Sequence, residues 1–248
     1  MAPSARATGG ALLALTAVCP VLAGCDSTKT QSARAKLAAT REVSSREPQL
    51  VTTPSGRVEV GAPTLLRDRR STAVVVPLVN RSGATLTDVP ITVGVTRRGK
   101  EVVFNKAPEL GWFQTHVPAI PANGSTTWVF QSPPGRGSKA GDEPFARVGE
   151  PANPAISDAE ELPVIRTQWM PAGGDARAPR FGVQNVSNVP QVGLQVYAFA
   201  KEGDRYVAAG AGTLADLPAE STRSLPIRLS GDPGDGPFTA IAIPTVFR

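Results

Sequence analysis

The sequence predicts an all-β fold of two tandem antiparallel β-sandwiches, and three observations carry that prediction. Glycine and proline number 24 each among 248 residues. Prolines spread along a chain exclude a helical bundle, because each costs about 3 kcal/mol in a helix interior. Apolar residues alternate with period two: Val89, Ile91, Val93 and Val95 in one stretch, Val192, Leu194, Val196 and Ala198 in another. That spacing puts one set inside and the intervening residues toward solvent. Beyond residue 57, moreover, the chain is one pattern written twice.

Residues 1–24 stand apart from the fold as a targeting signal. Arg6 precedes an apolar stretch from Ala11 to Ala23, too short for the roughly 20 residues of a membrane-spanning helix. The stretch closes on Leu22-Ala23-Gly24-Cys25, and here the sequence resembles a bacterial lipoprotein precursor with its lipobox. The resemblance implies cleavage before Cys25, lipidation of its thiol (diacylglycerol, with palmitate among the acyl chains) and an anchor on the extracytoplasmic side of the cell membrane. Cys19 lies upstream of the cut, so the mature chain would keep one cysteine and form no internal disulfide.

Residues 25–57 are rich in Ser, Thr, Ala and Arg and hold no core, which reads as a tether. Lys29, Arg34, Lys36, Arg41, Arg46 and Arg57 stand there against Asp26, Glu42 and Glu47, a net of +3. The whole chain is +5, of which Arg6 of the signal carries one, so residues 58–248 total only +1. Most of the positive charge therefore sits beside anionic lipid, and a nucleic-acid partner loses its main support.

The two copies occupy residues 58–150 and 163–248, joined by an acidic linker, 151–162. In the first copy Val76-Pro77-Leu78-Val79-Asn80-Arg81-Ser82-Gly83 runs into the strand from Val89 to Val95. In the second, Phe181-Gly182-Val183-Gln184-Asn185-Val186-Ser187-Asn188 runs into that from Val192 to Ala198. A glycine turn follows each, Arg98-Gly99-Lys100 and Glu202-Gly203-Asp204. Next come Ile120-Pro121-Ala122 and Leu217-Pro218-Ala219 with a further strand, then Pro144-Phe145-Ala146 and Pro237-Phe238-Thr239. Short strands punctuated this way read as sandwiches, and Asn80 and Asn185 are expected to brace their turns through side-chain bonds to backbone. This order of blocks resembles bacterial immunoglobulin-like repeats of the CARDB type, with the FxLYD type close. The resemblance implies a cell-surface spacer, adhesive module or accessory binding domain without catalytic residues.

Residue chemistry singles out no catalytic centre, cofactor or metal site. His116 is the one histidine, too few for a histidine metal cluster or a Ser-His-Asp triad. Gly210-Ala211-Gly212-Thr213-Leu214-Ala215 fits a loose dinucleotide pattern, but that fingerprint needs a helix after it and Pro218 follows. Asp232 and Asp235 fall short of the 6–8 oxygens that calcium takes.

Two features rise above this background. The stretch between Val103 and Ile120 is longer than its counterpart between Val207 and Leu217 and holds Trp112 and Phe113. If exposed, the pair is a possible contact for an envelope protein or glycan; in an inner strand it fills the core, which the scarcity of aromatics favours. Arg67, Arg69 and Arg70 in the first turn, with Arg97, Arg98 and Lys100 in the third, form a possible basic pole. In a seven-strand sandwich the linker leaves from that pole, so Glu150 just before it and its own Asp158, Glu160 and Glu161 are expected to attract the pole and limit domain swing. The expected function is a membrane-anchored, non-catalytic binding, adhesive or spacer module. An accessory subunit or chaperone of an envelope enzyme or transporter complex is the alternative.

Overall fold

The structure is a computed structural model that describes residues 50–107, 109–132, 139–151, 162–171, 175–234 and 237–245. The signal and residues 25–49 of the tether, Cys25 included, lie outside the described residues, as do Asp158, Glu160 and Glu161 of the linker. Residues 51–57, read as tether, instead pack on the first half: Val51 is buried with its amide bonded to Thr92 Oγ1 (2.8 Å), and the Ser55 amide donates to the Val148 carbonyl (2.7 Å). No helix among the described residues is long and apolar enough to cross a membrane.

The fold is all-β, with antiparallel sheets throughout. In the first half, β1 (Val58–Val60) and β2 (Thr64–Arg67) pair in succession with one side of β3 (Thr72–Asn80), and β7 (Ser125–Ser132) with the other. The facing sheet centres on β4 (Leu86–Arg97). Its flanks are β5 (Lys100–Val103) and β6 (His116–Ile120) on one side and β8 (Glu143–Val148) on the other. The second half repeats this plan. β10 (Arg180–Asn185) lies between β9 (Ile165–Met170) and β13 (Thr222–Pro226). β11 (Gln191–Glu202) lies between β12 (Arg205–Leu217) and β15 (Phe238–Ile243), and β14 (Ser230–Gly231) extends the β12 edge. The first half thus has three strand positions per sheet, six in all, where seven were expected; in the second half β14 adds a short fourth position to one sheet, making seven. The glycine-rich run at 210–215 is strand, inside β12, and a Cβ on Gly210 would come within 2.1 Å of the Arg228 carbonyl oxygen. Close backbone approach accounts for that glycine.

The repeat holds at the level of single hydrogen bonds. The Asn80 amide donates to the carbonyls of Ala84 (2.8 Å), Ile120 (3.2 Å) and Pro121 (2.9 Å), while its oxygen accepts from the Ser82 amide and hydroxyl. Asn185 donates to Val189 (2.9 Å), Leu217 (3.5 Å) and Pro218 (3.1 Å) and accepts from Ser187 in the same two ways. Both asparagines are buried, so every polar atom needs a partner and each amide finds several. The expected brace is present in both copies.

The four sheets stack, and the inner two are covered on both faces. Along β11, Leu194, Val196, Ala198 and Ala200 turn to a core with Phe181 and Val183 of β10. Tyr197 and Phe199, on the opposite face, join Ala209 and Ile243 in one apolar cluster with the core of the first half. On the first half, Ala73, Val75 and Val129 share a sheet face with Thr127 and Gln131, and that face meets β12. Gln131 Nε2 donates to the Arg228 carbonyl (3.1 Å) and Ser230 Oγ (2.9 Å), and Ser71 Oγ lies 2.6 Å from Ser230 Oγ. Two tethered domains swinging on a charged linker do not describe this arrangement; apolar burial, the larger and salt-insensitive term, holds the halves together.

Two polar groups in this zone are unmet. Trp128 Nε1 of the first half is turned toward the hydroxyl of Tyr197 in the second without reaching hydrogen-bond geometry, and both atoms are buried without a partner. Burial pushes the Tyr197 hydroxyl far above the usual tyrosine pKa. Because an unsatisfied buried hydroxyl is a cost, Tyr197→Phe is expected to raise stability by about 1 kcal/mol, read from the urea midpoint. A loss of that size would mean the hydroxyl is bonded.

Candidate functional site

Trp112 and Phe113 lie in neither an inner strand nor an exposed loop. The β5 ladder ends because the Asn105 side chain takes over its bonds. Asn105 Oδ1 accepts from the Val93 amide (2.9 Å), and Nδ2 donates to the Ile91 (2.7 Å) and Gln114 (3.0 Å) carbonyls. The chain therefore leaves the sheet after Asn105 and returns at His116. Between them Trp112–Gln114 forms a one-turn 3₁₀ helix.

Trp112 is buried, and its Nε1 donates to Asp88 Oδ1 at 2.7 Å. Its ring stacks on His116, with centroids 5.6 Å apart at 15°, and meets Phe113 edge-on. His116 Nε2 lies 3.9 Å from the same carboxylate oxygen, and His116 Nδ1 lies 2.9 Å from Thr115 Oγ1. Asp88, Thr115 and His116 are each 3% exposed or less, and Thr115 Oγ1 also donates to the Trp112 carbonyl (3.0 Å). What the trio does is hold Trp112.

Asp88 has a φ of 54°, in the left-handed region, and Gly193 has a φ of 64° at the same place in the second copy. Asp88 tolerates this conformation better than most residues. Its kink is filled by Trp112, and the kink of Gly193 by Phe113. A Cβ on Gly193 would lie 3.1 Å from Phe113 Cε2. Adjacent aromatics on one turn thus occupy the equivalent kinks of both halves. Asp88 was not singled out from the sequence. Its signal was there: Asp88 stands eight residues after Asn80, as Gly193 stands eight after Asn185.

The basic pole exists, with a different acid beside it. Arg97 makes a two-pronged pair with Asp142, Nε to Oδ1 at 2.9 Å and Nη2 to Oδ2 at 2.8 Å. Arg67 of the other turn acts on the same carboxylate. Arg69, Arg70, Arg98 and Lys100 are exposed around them. Val148 at the end of β8 pairs with Ile91, whereas Glu143 at its start pairs with Thr96. The linker therefore starts at the pole opposite the basic one, not beside it as expected, and its Asp158, Glu160 and Glu161 lie outside the described residues. Glu150 instead accepts from Ser55 Oγ (2.5 Å) and from the Arg57 guanidinium. Those bonds, the hydroxyl first, lower its pKa.

The Arg97 hydrogen bonds, with the Lys139 amide next, lower the Asp142 pKa from 3.8 to about 2. A carboxyl depressed on folding contributes stability that is complete above its unfolded pKa and disappears as pH falls through the folded one. Asp142→Asn is accordingly expected to flatten the loss of stability between pH 4 and 2 and to leave little pH dependence above that window. Thermal melts across this range check it.

Among the described residues no group of three or more His, Cys, Asp and Glu could hold a metal ion. Asp232 directly follows β14, its amide bonded to the Val207 carbonyl of β12, and Asp235 lies outside the described residues. A half-open groove of about 350 Å³ separates β6 and β7 from β15, lined by residues such as Ala119, Pro121, Leu162, Ile241 and Ile243. No charged side chain lines it. No protein-family model matches the chain, and no curated protein is detectably similar to it.

Proposed function

We propose that this chain is an envelope lipoprotein, anchored through lipid on Cys25, that presents two immunoglobulin-like β-sandwich repeats as a non-catalytic binding or spacing module. The observation that carries the reading is Leu22-Ala23-Gly24-Cys25 closing a short apolar stretch behind Arg6. A basic tether of net +3 follows at once, adding electrostatic attraction to anionic lipid, about 1 kcal/mol per charge near the surface. The stacked sheets support a spacing role, since a body with one apolar cluster crossing both halves transmits position rather than yielding to it.

Expression of the full chain in a bacterium with labelled palmitate tests the anchor. Label is expected on the wild type and absent from Cys25→Ala, which moves from the membrane fraction to the soluble one. Equal membrane retention of both would overturn the reading. Mild detergent extraction with the anchor intact separates a free-standing module from a subunit. Stoichiometric co-purification with an envelope enzyme or transporter would move the chain to the accessory class.

A further inference from the structure

We infer that the outer face of the β9–β10–β13 sheet is a docking surface for an extended anionic polysaccharide. Strand alternation and the observed register put nine residues on this face, in three rows across the strands. The rows are Arg166–Gln184–Thr222, Gln168–Gly182–Ser224 and Met170–Arg180–Pro226. All except Gly182 are exposed. The face carries two arginines, two glutamines and two hydroxyls, and no carboxylate.

At two of these positions on the central strand the first half is apolar where the second is polar, Val75 for Arg180 and Val79 for Gln184. The pair Val75↔Val129 corresponds to Arg180↔Pro226, Pro77↔Thr127 to Gly182↔Ser224, and Val79↔Ser125 to Gln184↔Thr222. The first-half face is covered by the second half; the second-half face is rebuilt for water and for charge.

Its relief fits a chain of sugar rings. Gly182 leaves the middle row without a central side chain, so the flanking rows become the walls of a shallow trough. Residues four apart along a strand set those walls about 13 Å from each other. The floor is lined from one side: Met170 Sδ lies 3.7 Å from where a Gly182 Cβ would stand, and Arg180 Nη1 reaches Ser224 Oγ at 3.3 Å. Amides and hydroxyls suit a hydroxyl-rich ligand, and guanidinium forks suit carboxylate or phosphate. No aromatic ring is present to stack bases as single-stranded nucleic acids require, and no apolar ridge is present to enter a bilayer.

The biological setting of this surface rests on the envelope reading above; its geometry does not. The test uses the full mature chain with Cys25→Ala, so failure of the anchor leaves it intact. Retention on immobilised polygalacturonate and on a phosphomannan is compared with retention on neutral dextran. Binding to at least one anionic polymer and none to dextran is expected, and the polymer preferred identifies carboxylate or phosphate as the group recognised. Arg166→Gln with Arg180→Gln is expected to weaken binding at least tenfold. Gly182→Gln fills the trough with charge unchanged and is expected to weaken it comparably; a Cβ there meets only ordinary contacts, so the strand keeps its fold. Unchanged binding in either variant would assign the attraction to the basic tether and overturn the proposal. So would retention on anionic lipid vesicles with none on either polymer.

Discussion

Asn80→Asp and Asn185→Asp are each expected to destabilise the protein by about 3 kcal/mol, out of all proportion to a change of one atom type. The native amide donates to three carbonyls in each copy. An ionised carboxylate in the same place presents an acceptor to three acceptors. Each buried carbonyl left unmet costs about 1–3 kcal/mol before relaxation, and the introduced charge is buried without a partner. The loss should shrink at low pH, where a protonated carboxyl donates one bond back. Asn188→Asp is the control, because Asn188 lies in the same turn and is exposed; a change there of more than about 0.5 kcal/mol is not expected. Urea unfolding at two pH values checks the set, and equal midpoints for Asn80→Asp and Asn188→Asp would show that the brace carries no stability.

The second large effect is on shape. Ala209 is fully buried in the apolar cluster that crosses both halves. Ala209→Arg places a guanidinium there at a cost of about 3–5 kcal/mol, against which separation of the halves is the cheaper response. Each half keeps core residues of its own, Phe181, Val183 and Ile227 among them in the second. The expected result in small-angle scattering is a longer maximum dimension for Ala209→Arg with antiparallel strand content retained by circular dichroism. For the wild type the dimension is expected to stay the same from low to high salt, because screening weakens ion pairs and leaves apolar burial in place. Lengthening of the wild type in salt would return the charged linker as the element that sets the angle.

The all-β class, the repeat and the asparagine braces were legible because they are local. Period-two alternation, Pro and Gly at strand ends, and an Asn two residues before Ser are written within a few positions of where they act. The strand count of the first half was not legible, since β1 with β2 and β5 with β6 each share one position in a sheet, and only the partner strand shows it. The basic pole was found by turn order, yet the exit of β8 at the other end depends on pairing register. Asp142 has no sequence mark that separates it from other surface acids. Trp112 and Phe113 stood out as rare residues in a long connection. Their environment was not readable, because it is set by Asn105 ending a ladder and by the two kinks at Asp88 and Gly193.

The change from Val75, Pro77 and Val79 in one half to Arg180, Gly182 and Gln184 in the other has a consequence for assembly. A repeat that lays one of its sheets on the opposite, non-equivalent sheet of its neighbour makes a head-to-tail contact, and such contacts propagate into open arrays unless something stops them. Here a second copy of the chain meets a polar sheet where a third repeat would need an apolar one. The last sheet therefore acts as a cap in the manner of the terminal unit of a solenoid, and the stack ends at two. Restoring valine at 180 and 184 removes that stop and turns a closed pair into the seed of a fibre.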